Sequence, residues 1–248
     1  MPTQRVLAAA GALASIATMP THEDRFRALV ITNPVIQTLI DRLPRLAIPD
    51  CWITAGAVMQ SVWNALEGRA PTDGIKDYDV FYFDPDLSWE AEDRIIRRAA
   101  AAFVDLAATI ELRNQARVHL WFDERNGTSG YPRLTSACHG IDVFLETPSM
   151  FGIRPTGGGN FDIYAPRGYD DLFGYVHRPN PAAIGPESSY VDKATRRKAL
   201  YPRLAVIPWK GVLRAASPAT SATWAFPARH QGNCRLSRLC PREGWHPG

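Results

Sequence analysis

Residues 75–83 read Ile-Lys-Asp-Tyr-Asp-Val-Phe-Tyr-Phe, and this run constrains the fold more than any other. Its aromatic and β-branched composition predicts a strand. Strand side chains alternate between faces, so Asp77 and Asp79 share one face while Tyr78, Val80 and Tyr82 share the other. Two carboxylates on one face of a buried strand lose hydration and repel each other. A divalent cation between them relieves both costs. Hard oxygen donors of this kind suit Mg²⁺ or Mn²⁺. The competing reading is a short strand with both aspartates at its exposed end.

The flanking segments add to this pattern. Residues 51–54 read as a short apolar strand, followed by a Gly-containing turn and a helix in which Val58, Val62, Ala65 and Leu66 fit helical spacing. Gly56 allows a close approach to a ligand, and the first amides of the helix, those of Gly56 and Ala57 among them, point toward any anion. A phosphate cradle is thereby predicted beside a cation site. After the Asp-Tyr-Asp strand, residues 87–108 predict a helix capped by Ser88. Glu90, Glu92 and Asp93 lie in its first turns and Arg94, Arg97 and Arg98 later, which suits the helix dipole. Residues 109–113 then alternate as a strand, with Ile110 and Leu112 on one side and Glu111 and Arg113 on the other. Glu111 is the candidate third carboxylate; the alternative leaves it at solvent, paired with Arg113 or Arg117. Asp142, in the strand-like residues 140–144, is the rival third acid. Asp84 and Asp86 flank Pro85 and suit a turn.

The remaining segments complete a mixed sheet with packed helices, an α+β or α/β domain. An apolar stripe from Leu29 to Leu43 is broken at Asn33-Pro34, which predicts one helix ending and a second starting with Pro34. Residues 117–122 and 141–145 read as strands. Gly157, Gly158 and Gly159 lack the lysine and following helix of a phosphate loop and predict a hairpin turn. His119 is read as buried and hydrogen-bonded. Asp170 and Asp171 sit at a helix start. Lys193, Arg196 and Arg197 are candidate phosphate contacts, although residues 193–198 read more simply as one solvated helical face.

Charge and composition separate the ends from the middle. Residues 210–248 hold six Lys or Arg and one acid, so the net charge of +3 leaves −2 on residues 1–209. The basicity therefore argues for no nucleic-acid-binding surface on the domain. The Ala-, Pro-, Ser- and Arg-rich residues 210–248 read as a disordered tail. Residues 1–22 read as a disordered leader, too short for a membrane span, with Met19-Pro20-Thr21 repeating Met1-Pro2-Thr3 as an alternative start. Residues 23–209 are the expected domain. Cys51, Cys138, Cys234 and Cys240 fit neither a disulfide framework nor a zinc pattern and read as free thiols in a reducing compartment.

Several pieces carry a family resemblance: Ala55-Gly56-Ala57, residues 76–84, residues 113–121, residues 165–173, residues 178–180 and residues 201–209. Together they resemble the nucleotidyltransferase superfamily, which includes the head domain of CCA-adding enzymes. More closely, they resemble the uncharacterised bacterial nucleotidyltransferase-like family related to that head domain. The resemblance covers roughly residues 25 to 209. It implies metal-dependent transfer of a nucleoside monophosphate from a nucleoside triphosphate to a hydroxyl on a small molecule, RNA or protein. It implies Asp77, Asp79 and Glu111 as catalytic cation ligands, and Gly56, Ala57 and Arg117 as nucleotide contacts. Ala57 stands where well-studied members carry a Gly or Ser, whose hydroxyl helps bind phosphate. The alternative function is a non-catalytic nucleotide- or protein-binding module on the same fold. A triphosphate substrate implies a cytoplasmic location, with no membrane partner.

Overall fold

The computed structural model describes residues 21–209; the basic tail and all but the last two residues of the expected leader lie outside them. The first two helices are set by their caps. Thr21 accepts a hydrogen bond from the Asp24 amide and starts α1 (His22–Val30), and Asn33 accepts from the Val35 and Ile36 amides at the start of α2 (Pro34–Arg42). Pro34 occupies the first turn, where its missing N–H costs nothing. Asn33 also donates its amide to Ser61 Oγ, Tyr78 Oη and the Pro71 carbonyl. One buried side chain thus fixes α2 against two later elements.

The sheet is built next. Strand β1 (Trp52–Thr54) runs straight into α3 (Ala55–Leu66), followed by β2 (Tyr78–Tyr82), α4 (Trp89–Ala102) and β3 (Ile110–Asn114). After a 3₁₀ turn at Gln115–Leu120 come α5 (Phe122–Asn126) and α6 (Ala137–Asp142), then β4 (Gly152–Gly157) and β5 (Asn160–Tyr164). Five strands lie in the order β3-β2-β1-β4-β5; β2 and β3 are parallel and the other neighbours antiparallel. The parallel pair demands a crossover, which α4 supplies. The chain ends in α7 (Asp170–Phe173), β6 (Val176–His177), α8 (Glu187–Leu200) and β7 (Ala205–Val206), with β6 and β7 forming a small parallel pair.

The two faces of the main sheet differ in chemistry. Ile53, Val80, Tyr82, Ile110, Leu112 and Ile153 point into the core with Phe26, Leu39, Val62, Trp63 and Ile96 from α1 to α4. The strand alternation sends Thr54, Asp79, Phe81, Glu111 and Arg113 to the opposite face, where all but Thr54 remain half-buried. The mixed sheet with packed helices expected from the sequence is therefore present.

Three local expectations differ from the structure. Residues 117–122 are not a strand: Asn114 Oδ1 accepts from the Ala116 amide and turns the chain at the end of β3 into the 3₁₀ segment. Residues 141–145 are not a strand either, because Ser136 caps α6 by accepting from the His139 amide and helix runs through Asp142. Helix α4 stops at Ala102, short of residue 108, where Phe103 caps it and enters the core. The glycine run is the expected hairpin, with Gly158 and Gly159 at φ +60° and +78°, the left-handed pair a two-residue hairpin turn needs.

Candidate active site

Thr54, Asp79 and Glu111 lie side by side across three strands, since Thr54 pairs with Asp79 and Asp79 with Glu111. Neighbours in register point the same way, so the row places Asp79 between the last residue of β1 and the acid of β3. Asp77, two residues before Asp79, adds a third carboxylate charge. Burial first, then Asp77 and Glu111, push the Asp79 carboxyl from 3.8 up to about 7, opposed by Lys193 and Arg113. Such a shift marks a site where negative charge is held without enough compensation. Hard oxygen donors of this type suit a divalent cation. Glu111 is engaged within the protein, since Arg113 Nη2 donates to its Oε2 at 3.1 Å. Among the described residues, no three His, Cys, Asp or Glu side chains converge closely enough to hold a metal ion.

The N-terminus of α3 begins at the end of the same row. Thr54 spends its hydroxyl on the Phe151 carbonyl at 2.6 Å and gives the helix no side-chain cap. The first amides of α3, those of Ala55, Gly56 and Ala57, are therefore not satisfied by a capping side chain. The left-handed residue at this junction is Ala55, at φ +63°, rather than the glycine beside it. A non-glycine residue held there stores strain, a frequent feature of functional turns. A β-branched side chain tolerates this conformation worse than alanine. Ala55→Val is therefore expected to cost about 1–3 kcal/mol of folding stability, read by denaturant unfolding; unchanged stability would show that the turn relaxes freely.

Residues of the last helix also reach the site, against the reading of 193–198 as a solvated face. Lys193 acts on Asp79. Arg197, one turn later, has only 9% of its side chain exposed. Its Nη1 donates to Glu146 Oε1 at 2.7 Å and to His177 Nδ1 at 3.3 Å. Its Nη2 stands 3.7 Å from where a Cβ on Gly56 would sit. Glu146 is fully buried, and its Oε1 also accepts from Ser149 and lies 3.5 Å from Lys193 Nζ. Burial works to raise the Glu146 carboxyl, but Arg197, Lys193 and His177 together outweigh it and hold the group down at about 2. Burial and Arg197 push His177 down to about 4. Sequence reasoning missed Glu146 and His177 and undervalued Arg197. The i, i+4 spacing of Lys193 and Arg197 was the available signal.

Other predicted residues go elsewhere. Arg117 is paired with Glu92 of α4 and acts on Tyr82, whose side chain faces the core, so the structure does not bring it to the carboxylates. Asp142 accepts a hydrogen bond from Tyr164 Oη at 2.7 Å and is not among the charges acting on Asp79. Asp84 and Asp86 accept from the Asp86 and Ser88 amides, as turn residues do. Asp171 binds Arg178 and Thr147 instead of capping α7. His119 is half-buried, but its ring nitrogens have no protein partner. Cys51 and Cys138 are free, as expected, and burial pushes both thiols up to about 12.

The site thus combines Asp79 and Glu111 in register on neighbouring strands, Asp77 just before the first of them, and a helix start without a side-chain cap. The chain belongs to the family described as Nucleotidyltransferase, whose profile matches residues 41–206. It is also similar to a solved NMR structure described as revealing a CCA-adding enzyme head domain. Identity is 22%, the TM-score is 0.58, and the match covers 78% of this chain and 99% of that one. That likeness shows the fold. No protein of curated function matches the sequence.

Proposed function

We propose that the protein transfers a nucleoside monophosphate from a nucleoside triphosphate to a hydroxyl acceptor, with Asp77 and Asp79 holding Mg²⁺ or Mn²⁺ and Glu111 as the third carboxylate. The observation that carries this reading is the row Thr54–Asp79–Glu111, which sets a carboxylate pair beside an uncapped helix start. A bound cation supplies charge neutralisation for the triphosphate and acidifies an attacking hydroxyl. The amides of Gly56 and Ala57 bind phosphate oxygens and hold the α-phosphorus in line with the acceptor. The acceptor oxygen bonds to that phosphorus, its bond to the β-bridging oxygen breaks, and pyrophosphate leaves with the electron pair. The hydroxyl proton passes to a carboxylate of the row. A reaction using cellular triphosphates belongs in the cytoplasm. Among the described residues, no helix is long and apolar enough to cross a membrane.

One observation favours a second reading. Glu111 is tied to Arg113, and among the described residues no three acids converge on a metal site, as expected of a module that binds a nucleotide without turning it over. The test is incubation with each of the four α-labelled triphosphates, Mg²⁺ and a cell extract supplying small molecules, RNA and protein. Label on an acceptor supports transfer. Saturable nucleotide binding with no label on any acceptor supports the module.

A further inference from the structure

We propose that Lys193 of α8 is a movable counter-ion for the acidic row, partly neutralising Asp79 while no cation is bound and withdrawing onto Glu146 when a divalent cation takes its place. The proposal rests on the reading of Asp77 and Asp79 as cation ligands. It adds to that reading a residue that sets how tightly the cation is held.

Placement is the first argument. Asp79 stands in register beside Thr54, the residue that leads into α3. Helix α8 lies against the start of α3, where Arg197 Nη2 is 3.7 Å from where a Cβ on Gly56 would sit. Lys193 is one turn before Arg197 and shares its helix face. It is thereby held between acids of two different elements. Its Nζ lies 3.5 Å from Glu146 Oε1, and its charge also bears on Asp79. Of Lys193 and Arg113, the cations that oppose the acids around Asp79, Arg113 donates to Glu111. Lys193 is left to face the aspartates.

The second argument is that Glu146 has room for the withdrawn ammonium. Arg197 Nη1 donates to Glu146 Oε1 at 2.7 Å, and Ser149 Oγ donates to the same oxygen at 2.9 Å. Glu146 is therefore held without Lys193, whose 3.5 Å separation is an ion pair and not a close hydrogen bond. Glu146 Oε2 is buried and has no hydrogen-bond partner. A buried acceptor in that state is costly, and an ammonium drawn fully onto the carboxylate satisfies it. Both positions lie on one carboxylate, a short swing apart. The Lys193 side chain is 30% exposed, and its stem is flexible enough for the move. One positive charge does not neutralise two aspartates, so a divalent cation is still favoured there, and it repels the ammonium beside it. Cation binding therefore includes the displacement of Lys193, and its affinity is lower than the carboxylates alone would give.

The test reads the sign of a change. The full chain is titrated calorimetrically with Mn²⁺ alone, without nucleotide, at pH 8. Lys193→Met removes the charge, keeps the length and suits a helix. It is expected to bind Mn²⁺ about tenfold or more tightly than wild type, the effect of removing a like charge beside a divalent ion. Lys193→Arg keeps the charge and is expected to bind as wild type does. The same Mn²⁺ concentration should raise the melting temperature of Lys193→Met by more than that of wild type. A damaged fold or a lost phosphate contact predicts weaker or unchanged Mn²⁺ binding. Equal or weaker binding by Lys193→Met, or tighter binding by Lys193→Arg as well, overturns the counter-ion. The cation reading still stands in that case if wild-type binding disappears with Asp77→Asn and Asp79→Asn together. Absence of Mn²⁺ binding from every variant, or equal binding by wild type and the double Asn variant, overturns the cation reading and the counter-ion with it.

Discussion

Replacing Asp77 and Asp79 together by Asn is expected to abolish transfer and, in the same chain, to raise thermal stability. Under the proposed function, loss of these carboxylates lowers the rate by on the order of 10³-fold or more, read as label transfer per enzyme. The stability gain has a separate cause. Burial, Asp77 and Glu111 raise the Asp79 carboxyl from 3.8 to about 7, so the folded state holds a proton that the unfolded chain releases. Stability attributable to Asp79 is therefore full below about pH 4 and falls as pH rises toward 7. Without cation, the wild type should lose thermal stability between about pH 4 and pH 7 relative to the double variant. The gap should widen with pH and close when Mg²⁺ is added. A double variant less stable than wild type at pH 8 in EDTA would show that the aspartates are satisfied by the protein itself. The site would then have no need of a cation.

That unsatisfied charge was legible in the sequence because strand alternation is local. Asp79, Ile110, Glu111 and Leu112 needed only the two-residue period to be assigned faces, and the register of β2 against β3 did the rest; Asp77, expected on the same strand, precedes β2. The helix starts at Pro34 and Ser88 were legible for the same reason, since a cap acts within three residues. What could not be read was any contact made across long stretches of chain. Glu146 and Arg197 are 51 residues apart, and each looks unremarkable alone: a glutamate before a Thr-Pro turn and an arginine in a charged run. Asp142 and Arg117 failed in the opposite way. Each sat in a short alternating segment that strands and helices share, and a single cap, from Ser136 or Asn114, decided the matter. The left-handed Ala55 was equally hidden, because the adjacent Gly56 is the residue a sequence argument assigns to such a turn.

Glu146→Gln is the largest stability loss expected of a single polar substitution here. The wild-type carboxylate is fully buried and receives Arg197, Lys193 and Ser149 on one oxygen. Gln keeps the shape and removes the charge, so Arg197 is left buried without its counter-ion. Breaking a buried pair in this way costs about 3–5 kcal/mol, measurable as a lower denaturation midpoint with unchanged slope. The loss should depend on pH in a defined direction. Arg197, Lys193 and His177, against the opposing pull of burial, hold Glu146 at about 2, below its ordinary 4.5, so the unfolded chain takes up a proton first. Stability from Glu146 is thus fully present above about pH 4.5 and is lost as pH falls through about 2. Wild type and Glu146→Gln should differ most near neutrality and converge in acid.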